Sequence, residues 1–372
     1  MAASILAMTA PPTSAPASMA RTGQRIASLD GVRAIAAGAV AVAHAGLWWM
    51  PADTAVLAFF VLSGFIITWL MLAEFSRNGS IDLKAFYWRR SLRIFPAFYV
   101  YWLFIVGSRL LANKPLVWPQ AWASLFYVNN YYQAIYGDPS TSLSHSWSLG
   151  IEEQFYLFWP ALMLGVLSLV GAKKRELPIT DRRIRQLAVI AWMLVAIILA
   201  VWVHRIRLYA NATPESYIYE AFDTRFDHLA IGCLLAVLWK SRELRNRSWS
   251  IPPASGWVVL ALLVASEVAK LSIGATYKVY VAAALDPVLI AILLVWLIRS
   301  APRFLNSRVL VFLGAISYST YIWQQPVPVW LERLHLPTPA LVAACYSLTI
   351  ALASASYFLV EKPFMRLKRR AR

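Results

Sequence analysis

The sequence predicts an all-α integral membrane protein, a bundle of about ten transmembrane helices with both termini in the cytoplasm. Three observations predict it. Hydrophobic residues make up 60% of the 372-residue chain and charged residues 14%, against about 45–50% and ~25% in soluble domains. Mostly apolar runs recur at the ~17–25 residues needed to cross ~30 Å of hydrocarbon. Lysines and arginines gather in alternate connections. With mean hydropathy at +0.57, there is too little polar surface to wrap a water-soluble globule of this size. A soluble enzyme, a disordered chain and a disulfide scaffold are excluded.

Residues 1–28 are rich in Ala, Ser, Pro and Thr and read as a flexible N-terminal tail. Ala2–Ala10 lacks the charged start of a secretion signal and runs into prolines. Residues 29–366 form the transmembrane unit, and 367–372 a basic cytoplasmic tail. The apolar runs fall at 32–50, 54–73, 94–112, 151–172, 187–205, 226–240, 256–273, 279–299, 309–331 and 339–360. The sixth is short, and Pro326 and Pro328 break the ninth. Continuous apolar runs lack the alternation of a membrane barrel, and a helix satisfies its backbone polar groups internally. No internal repeat is visible, which argues against an inverted-repeat transporter.

Orientation follows from the positive charges. Arg89, Arg90 and Arg93 precede the third run, Lys173 to Arg185 follow the fourth, and Lys362 to Arg372 follow the tenth. These connections and both termini are therefore placed inside a bacterial cytoplasmic (inner) membrane, and ten crossings have the matching parity. The net charge of +17 is then a topology signal, and no nucleic-acid partner is expected. Cys233 and Cys345 lie in apolar runs, so no disulfide is expected. The outer connections, 113–150 and 206–225, are aromatic. Their tryptophans and tyrosines, with Asn129 and Asn130, suit interfacial anchoring and are compatible with sugar stacking.

Ionisable residues inside a span are costly and usually face a cavity or a partner. Arg33 and His44 are eleven residues apart in the first run, about three helical turns, so they share a face ~16 Å apart along the axis. The alternative readings are an interfacial charge anchor for Arg33 and a helix–helix hydrogen bond for His44. Ser63 and Gly64 are small residues midway along the second run and permit close approach of a backbone or an extended ligand. Arg90 and Arg93 have i,i+3 spacing and suit phosphate, which the planar guanidinium grips bidentately; headgroup contact is the competing explanation. Glu152 and Glu153 open the fourth helix, where the macrodipole favours carboxylates. Either is a candidate to orient and charge-balance an imidazole base, and the sequence does not say which faces inward. His145 is an alternative base in a loop where exposure is expected. Glu361 closes the tenth run, with an arginine as its natural partner. Asp286 and the Asp227–His228 pair are polar insertions without an assigned role. No phosphate-binding glycine loop or metal-ligand cluster is present in the sequence. The chemistry therefore calls for acid–base groups and an activated substrate, with no metal and no permanently bound cofactor.

Seven segments carry a resemblance: SLDGVRAIAAGAVAVAHAG, FFVLSGFIIT, WRRSLRIFP, SHSWSLGIEEQFYLFWP, RFDHLAIGCLLA, ISYSTYIWQQPV and FLVEKPF. Their order over residues 28–366 resembles that in the acyltransferase family 3 membrane proteins, the O-acyltransferases of bacterial surface polysaccharides and related acceptors. The resemblance implies transfer of an acyl group, commonly acetyl from acetyl-CoA, to a hydroxyl of a cell-surface glycan or another acceptor such as a macrolide or secreted metabolite. The family's arginine–histidine motif falls on Arg33 and His44, and its FFxxSG motif on Phe59, Phe60, Ser63 and Gly64. Its RxxR motif falls on Arg90 and Arg93, its WSLxxE segment on Trp147 to Glu152, and its ExP on Glu361 and Pro363. His44 is then the expected general base, with Glu152 and Glu153 as catalytic carboxylates. Arg33, Arg90, Arg93, Ser63, Gly64 and Glu361 are the expected acyl-CoA contacts. One departure is Gln324-Gln325, where many relatives have a histidine, which argues against a catalytic group there. The chain also stops soon after the tenth run, resembling the branch without a fused SGNH-type domain. A transporter or flippase of lipid-linked sugar is the reading from another class, with Arg33 and His44 lining a substrate path.

Overall fold

The computed structural model describes residues 27–173, 176–245, 247 and 252–367, all of them helical or in the connections between helices. The expected tails, 1–28 and 367–372, lie outside the described residues except for 27, 28 and 367. In chain order the helices are α1 (Ala27–His44), α2 (Ala52–Asn78), α3 (Leu83–Leu111), α4 (Trp118–Leu125), α5 (Asn129–Tyr136), α6 (Ser146–Lys173), α7 (Ile179–Ala210) and α8 (Glu215–Glu220). They continue with α9 (Phe226–Leu244), α10 (Ser255–Ile273), α11 (Ala275–Ser300), α12 (Arg308–Ala315), α13 (Ser317–Trp323), α14 (Pro326–Leu331) and α15 (Thr338–Leu367).

Among the described residues, seven helices are long and apolar enough to cross a membrane: α2, α3, α6, α7, α10, α11 and α15. The first and sixth expected runs fall on α1 and α9, of 18 and 19 residues, which are not among these seven. The ninth is divided into α12, α13 and α14, with a break at Ile316 as well as one ahead of Pro326. Several helices outrun their apolar cores. α3 starts at Leu83 because the Asp82 side chain caps it, accepting from the Ala85 N–H at 2.8 Å. Arg90 and Arg93 thus sit about two turns inside the helix and not at its entrance. α15 likewise passes Glu361 through a π-turn at Tyr357–Glu361 and ends at Leu367.

Where two helix backbones meet, the side chains are small. α2 and α9 cross at Gly64 and Gly232. A β-carbon on Gly64 would lie 2.0 Å from the Leu229 carbonyl oxygen, and one on Gly232 would lie 2.1 Å from that of Val61. In a bilayer, where lipid tails are as apolar as Leu, this close contact replaces the hydrophobic drive of a soluble core. Gly64 therefore serves this helix packing. α1 packs on α2, α12 and α13. Its first turn lies against Gly314 of α12, where a β-carbon would meet the Asp30 carbonyl oxygen at 2.0 Å.

The unassigned polar insertions turn out to be ties between helices. Arg205 of α7 grips Asp227 of α9 bidentately, at 2.7 and 3.1 Å. Lys270 of α10 pairs with Asp286 of α11 at 2.6 Å. Such pairs cost ~3–5 kcal/mol to break from one side, because the remaining charge stays buried alone. His228 donates to, or accepts through, no site group; its ring contacts the Ala283 carbonyl at 3.1 Å.

Gly64→Ala is expected to lower the unfolding temperature in detergent by forcing α2 and α9 apart. Gly107→Ala, on α3 where a β-carbon meets nothing within 4 Å, is expected to hold or raise it, since Ala gains about 0.5–1 kcal/mol over Gly in a helix. Thermal unfolding of the two variants checks the contrast.

Candidate active site

Two cavities lie along α1. The first, about 100 Å³, receives Arg33 from α1, Ser63 from α2, Arg90 and Arg93 from α3, and Glu152 and Glu153 from α6. Three guanidiniums here lie close enough to repel one another, with the Glu361 carboxylate opposing them. Glu361 is buried and accepts from Ser319 Oγ at 2.5 Å. Arg90 sits 3.7 Å over the Tyr156 ring, and its buried Nε has no hydrogen-bond partner. Glu152, Glu153 and Glu361 offset this clustered charge, while the Arg90 Nε–H stays a buried donor without an acceptor, at a cost an anion's oxygen would remove. The arrangement fits phosphate oxygens.

The carboxylates of α6 are committed here. Ser63 Oγ donates to Glu152 Oε1 at 2.6 Å, and Tyr156 Oη donates to Glu152 Oε2 at 3.1 Å. A Tyr156 to Ser63 contact of 3.0 Å closes the triangle. Glu152 and Glu153 face the arginines and do not line the cavity around His44. In this arrangement the start of α6 turns its carboxylates towards Ser63 of α2 and the arginines of α3, and neither lines the imidazole cavity.

His44 ends α1 and lines the second cavity, about 210 Å³, together with Asp53, Asp138, His145, Glu220 and Gln325. Its Nδ1 lies 3.0 Å from the Val40 carbonyl one turn back. A carbonyl only accepts, so Nδ1 carries the hydrogen and Nε2 keeps its lone pair. The carboxylates near this ring are Asp53 and Asp138, from the start of α2 and the loop after α5. His145 was expected to be exposed; it is only 4% exposed, because Tyr101 and Tyr321 pack edge-on against its ring. Asn129 and Asn130 are buried under the start of α6, hydrogen-bonded to Ser146 at 2.9 Å and to Gln154 at 3.3 Å. They are structural and do not present a stacking surface.

The two cavities share a wall made of Val56 and Tyr321. Tyr321 of α13 bonds Ser148 Oγ at 2.5 Å and donates to the His145 carbonyl at 3.2 Å. The break between α12 and α13 turns this residue between the arginines and the histidine. Asp53, Asp138, Glu220 and Tyr321 escaped the sequence reading. A carboxylate in a first turn or a loop looks like any dipole or turn residue, and only the assembly of three connections brings them to one imidazole.

Residues 26–358, most of the chain, match the acyltransferase family 3 domain, described as an acyltransferase domain. The chain belongs to this family. The match ends just short of Glu361 and Pro363. Over 92% of its length the chain is 31% identical to a Staphylococcus aureus (strain COL) protein bearing a provisional O-acetyltransferase name, covering 57% of that protein. It is 30% identical to the peptidoglycan O-acetyltransferase OatA of Listeria monocytogenes, over 92% of the chain and 56% of the relative. A further relative is the O-acetyltransferase OatA of Staphylococcus aureus (strain NCTC 8325 / PS 47), 30% identical over 91% of the chain and 57% of the relative. The chain thus spans a little over half the length of these relatives. No solved structure matches it.

Glu152→Gln, which keeps an acceptor for Ser63 and offers an amide N–H from which the Tyr156 hydroxyl can accept, is expected to change stability by less than about 1 kcal/mol. Glu152→Leu is expected to cost ~1–3 kcal/mol by stranding their hydroxyls. Chemical unfolding in detergent distinguishes the two.

Proposed function

We propose that the chain is a membrane O-acyltransferase that moves an acetyl group from acetyl-CoA to a hydroxyl of a cell-surface glycan or related acceptor, with His44 as general base. The carrying observation is the rigid placement of Arg33 and His44 on one helix, in two cavities that meet at Tyr321. The names of the relatives support O-acetyl transfer. In this reading α1, α9 and the broken α12–α14 segment complete ten crossings of the bacterial cytoplasmic membrane, with both termini inside.

Arg33, Arg90 and Arg93 would hold the phosphates of the donor at the cytoplasmic mouth, while the thin pantetheine arm passes Tyr321 towards His44. The ~16 Å between Arg33 and His44 along the helix suits such an arm. Nε2 of His44 takes the proton of the acceptor hydroxyl as its oxygen attacks the thioester carbonyl. The tetrahedral intermediate then collapses, the carbon–sulfur bond breaks, and the imidazolium returns the proton to the departing thiolate. The products are an ester and free coenzyme A thiol. Glu152, held by Ser63 and Tyr156, and Glu153 balance the guanidinium charges in this scheme. Glu361 does the same for Arg93, so its role towards the donor is indirect.

General-base catalysis contributes ~10²–10⁴-fold. His44→Ala is therefore expected to lower turnover by about that factor while the protein stays folded and inserted. The measurement is release of coenzyme A thiol from labelled acetyl-CoA by purified protein. Near-normal release by His44→Ala would refute the base assignment. An intact thioester with the unaltered protein would favour transport of a lipid-linked sugar, which consumes no thioester.

A further inference from the structure

The cavity around His44 is lined by more polar groups than a general base needs. Asp138 accepts from Gln133 Nε2 at 2.9 Å, from the Ser140 N–H at 2.9 Å and from Ser144 Oγ at 2.5 Å, all on Oδ1. Asp53 accepts from Tyr219 Oη at 2.5 Å, also on Oδ1. Each turns a second oxygen away from these bonds. Glu220 at the end of α8 is 8% exposed, and its buried Oε2 has no hydrogen-bond partner. Both ring nitrogens of His145 are likewise buried and unpartnered. Buried polar groups are nearly always satisfied, and each orphan costs ~1–3 kcal/mol. Glu220 and His145 both line this cavity with polar groups that the protein leaves incompletely satisfied, which marks a place where a ligand can supply bonds.

The chemistry of the lining narrows the ligand. Carboxyl oxygens accept hydrogen from hydroxyls and repel a second negative charge. Trp147 and Tyr219, with ring centroids 5.0 Å apart, also line the cavity and add apolar surface beside its carboxyls. A volume of about 210 Å³ lies below the ~300 Å³ lower bound for drug-sized ligands, on the scale of one sugar ring. We propose that this cavity is the acceptor subsite, that it takes an uncharged sugar ring, and that Glu220 binds an acceptor hydroxyl beside the one His44 deprotonates. This deepens the proposed acyl transfer, on which the word acceptor rests. Burial pushes the Glu220 carboxyl up to about 8, with Asp138 adding repulsion and Arg225 opposing both. At neutral pH it both donates to and accepts from a hydroxyl, while Asp53 and Asp138 repel an anionic substituent.

The test uses the full chain in lipid nanodiscs, with methyl glucoside and methyl glucuronide as probes and saturation-transfer NMR as the binding readout. The two sugars differ only at C6, a hydroxymethyl in the glucoside and a carboxylate in the glucuronide. The glucoside is expected to bind at least tenfold better than the glucuronide. Glu220→Leu should weaken glucoside binding at least tenfold, whereas Glu220→Gln, which still donates and accepts, should stay within about threefold. Thermal unfolding of Glu220→Leu should be unchanged or raised, because an unpartnered carboxyl has been removed. A fall in that temperature would indicate a merely structural role and overturn the assignment. Equal binding of the two sugars, failure of the glucoside to bind, or unchanged binding by Glu220→Leu would overturn it too. Binding is read without donor, so an uncut thioester in the separate turnover assay counts against acyl transfer and not against the subsite.

Discussion

The site depends on the stiffness of one helix. α1 carries a guanidinium near its start and an imidazole at its end, and the fixed rise of a hydrogen-bonded helix holds them ~16 Å apart along one face. Between them lie mostly alanines, which let α2, α12 and α13 close around the helix without filling the space at either end. The same backbone sets the chemistry of the imidazole, because the Val40 carbonyl one turn back claims the Nδ1 hydrogen. Any bending of α1 would change both the separation and the tautomer.

Around this rod the bundle sorts its charges by chamber. The arginines of α1 and α3 gather with the α6 carboxylates, and one of these, Glu152, is held by Ser63 and Tyr156. The imidazole end collects carboxyl groups from connections: Asp53 before α2 is fully under way, Asp138 after α5, and Glu220 closing α8. Burial in an apolar bundle raises the cost of every unpaired charge, so the two groupings cannot be incidental to stability. Elsewhere in the bundle the charges pair off, as Arg205 with Asp227 and Lys270 with Asp286. In the two chambers Arg90, His145 and Glu220 keep buried polar atoms without hydrogen-bond partners.

The packing that holds this arrangement is backbone on backbone. Gly64 and Gly232 bring α2 and α9 together, and α2 is the helix that presents Ser63 to Glu152. A single short stretch of α2 thus faces α9 with its glycine and the arginine cavity with its serine. Neighbouring residues on a helix point about 100° apart, which is why Ser63 and Gly64 take such different roles.

Composition, run length and helical period are local properties, and they were enough to read an all-α membrane protein, the positions of most helices, and the shared face of Arg33 and His44. The order of seven short segments was enough for the family. The extent of α3 was not legible, because a capping aspartate outweighed a stretch of arginines that looked like a connection. Nor was the fate of Glu152 and Glu153, which point to the arginines, or of His145, which is buried where a loop residue was expected in solvent. Tertiary structure alone decided which carboxyls meet the imidazole, since Asp53, Asp138 and Glu220 lie far apart in the chain. No periodicity links residues in three separate connections; only the closing of the bundle, held by tight glycine crossings and by ion pairs and hydrogen bonds between helices, brings them to one cavity.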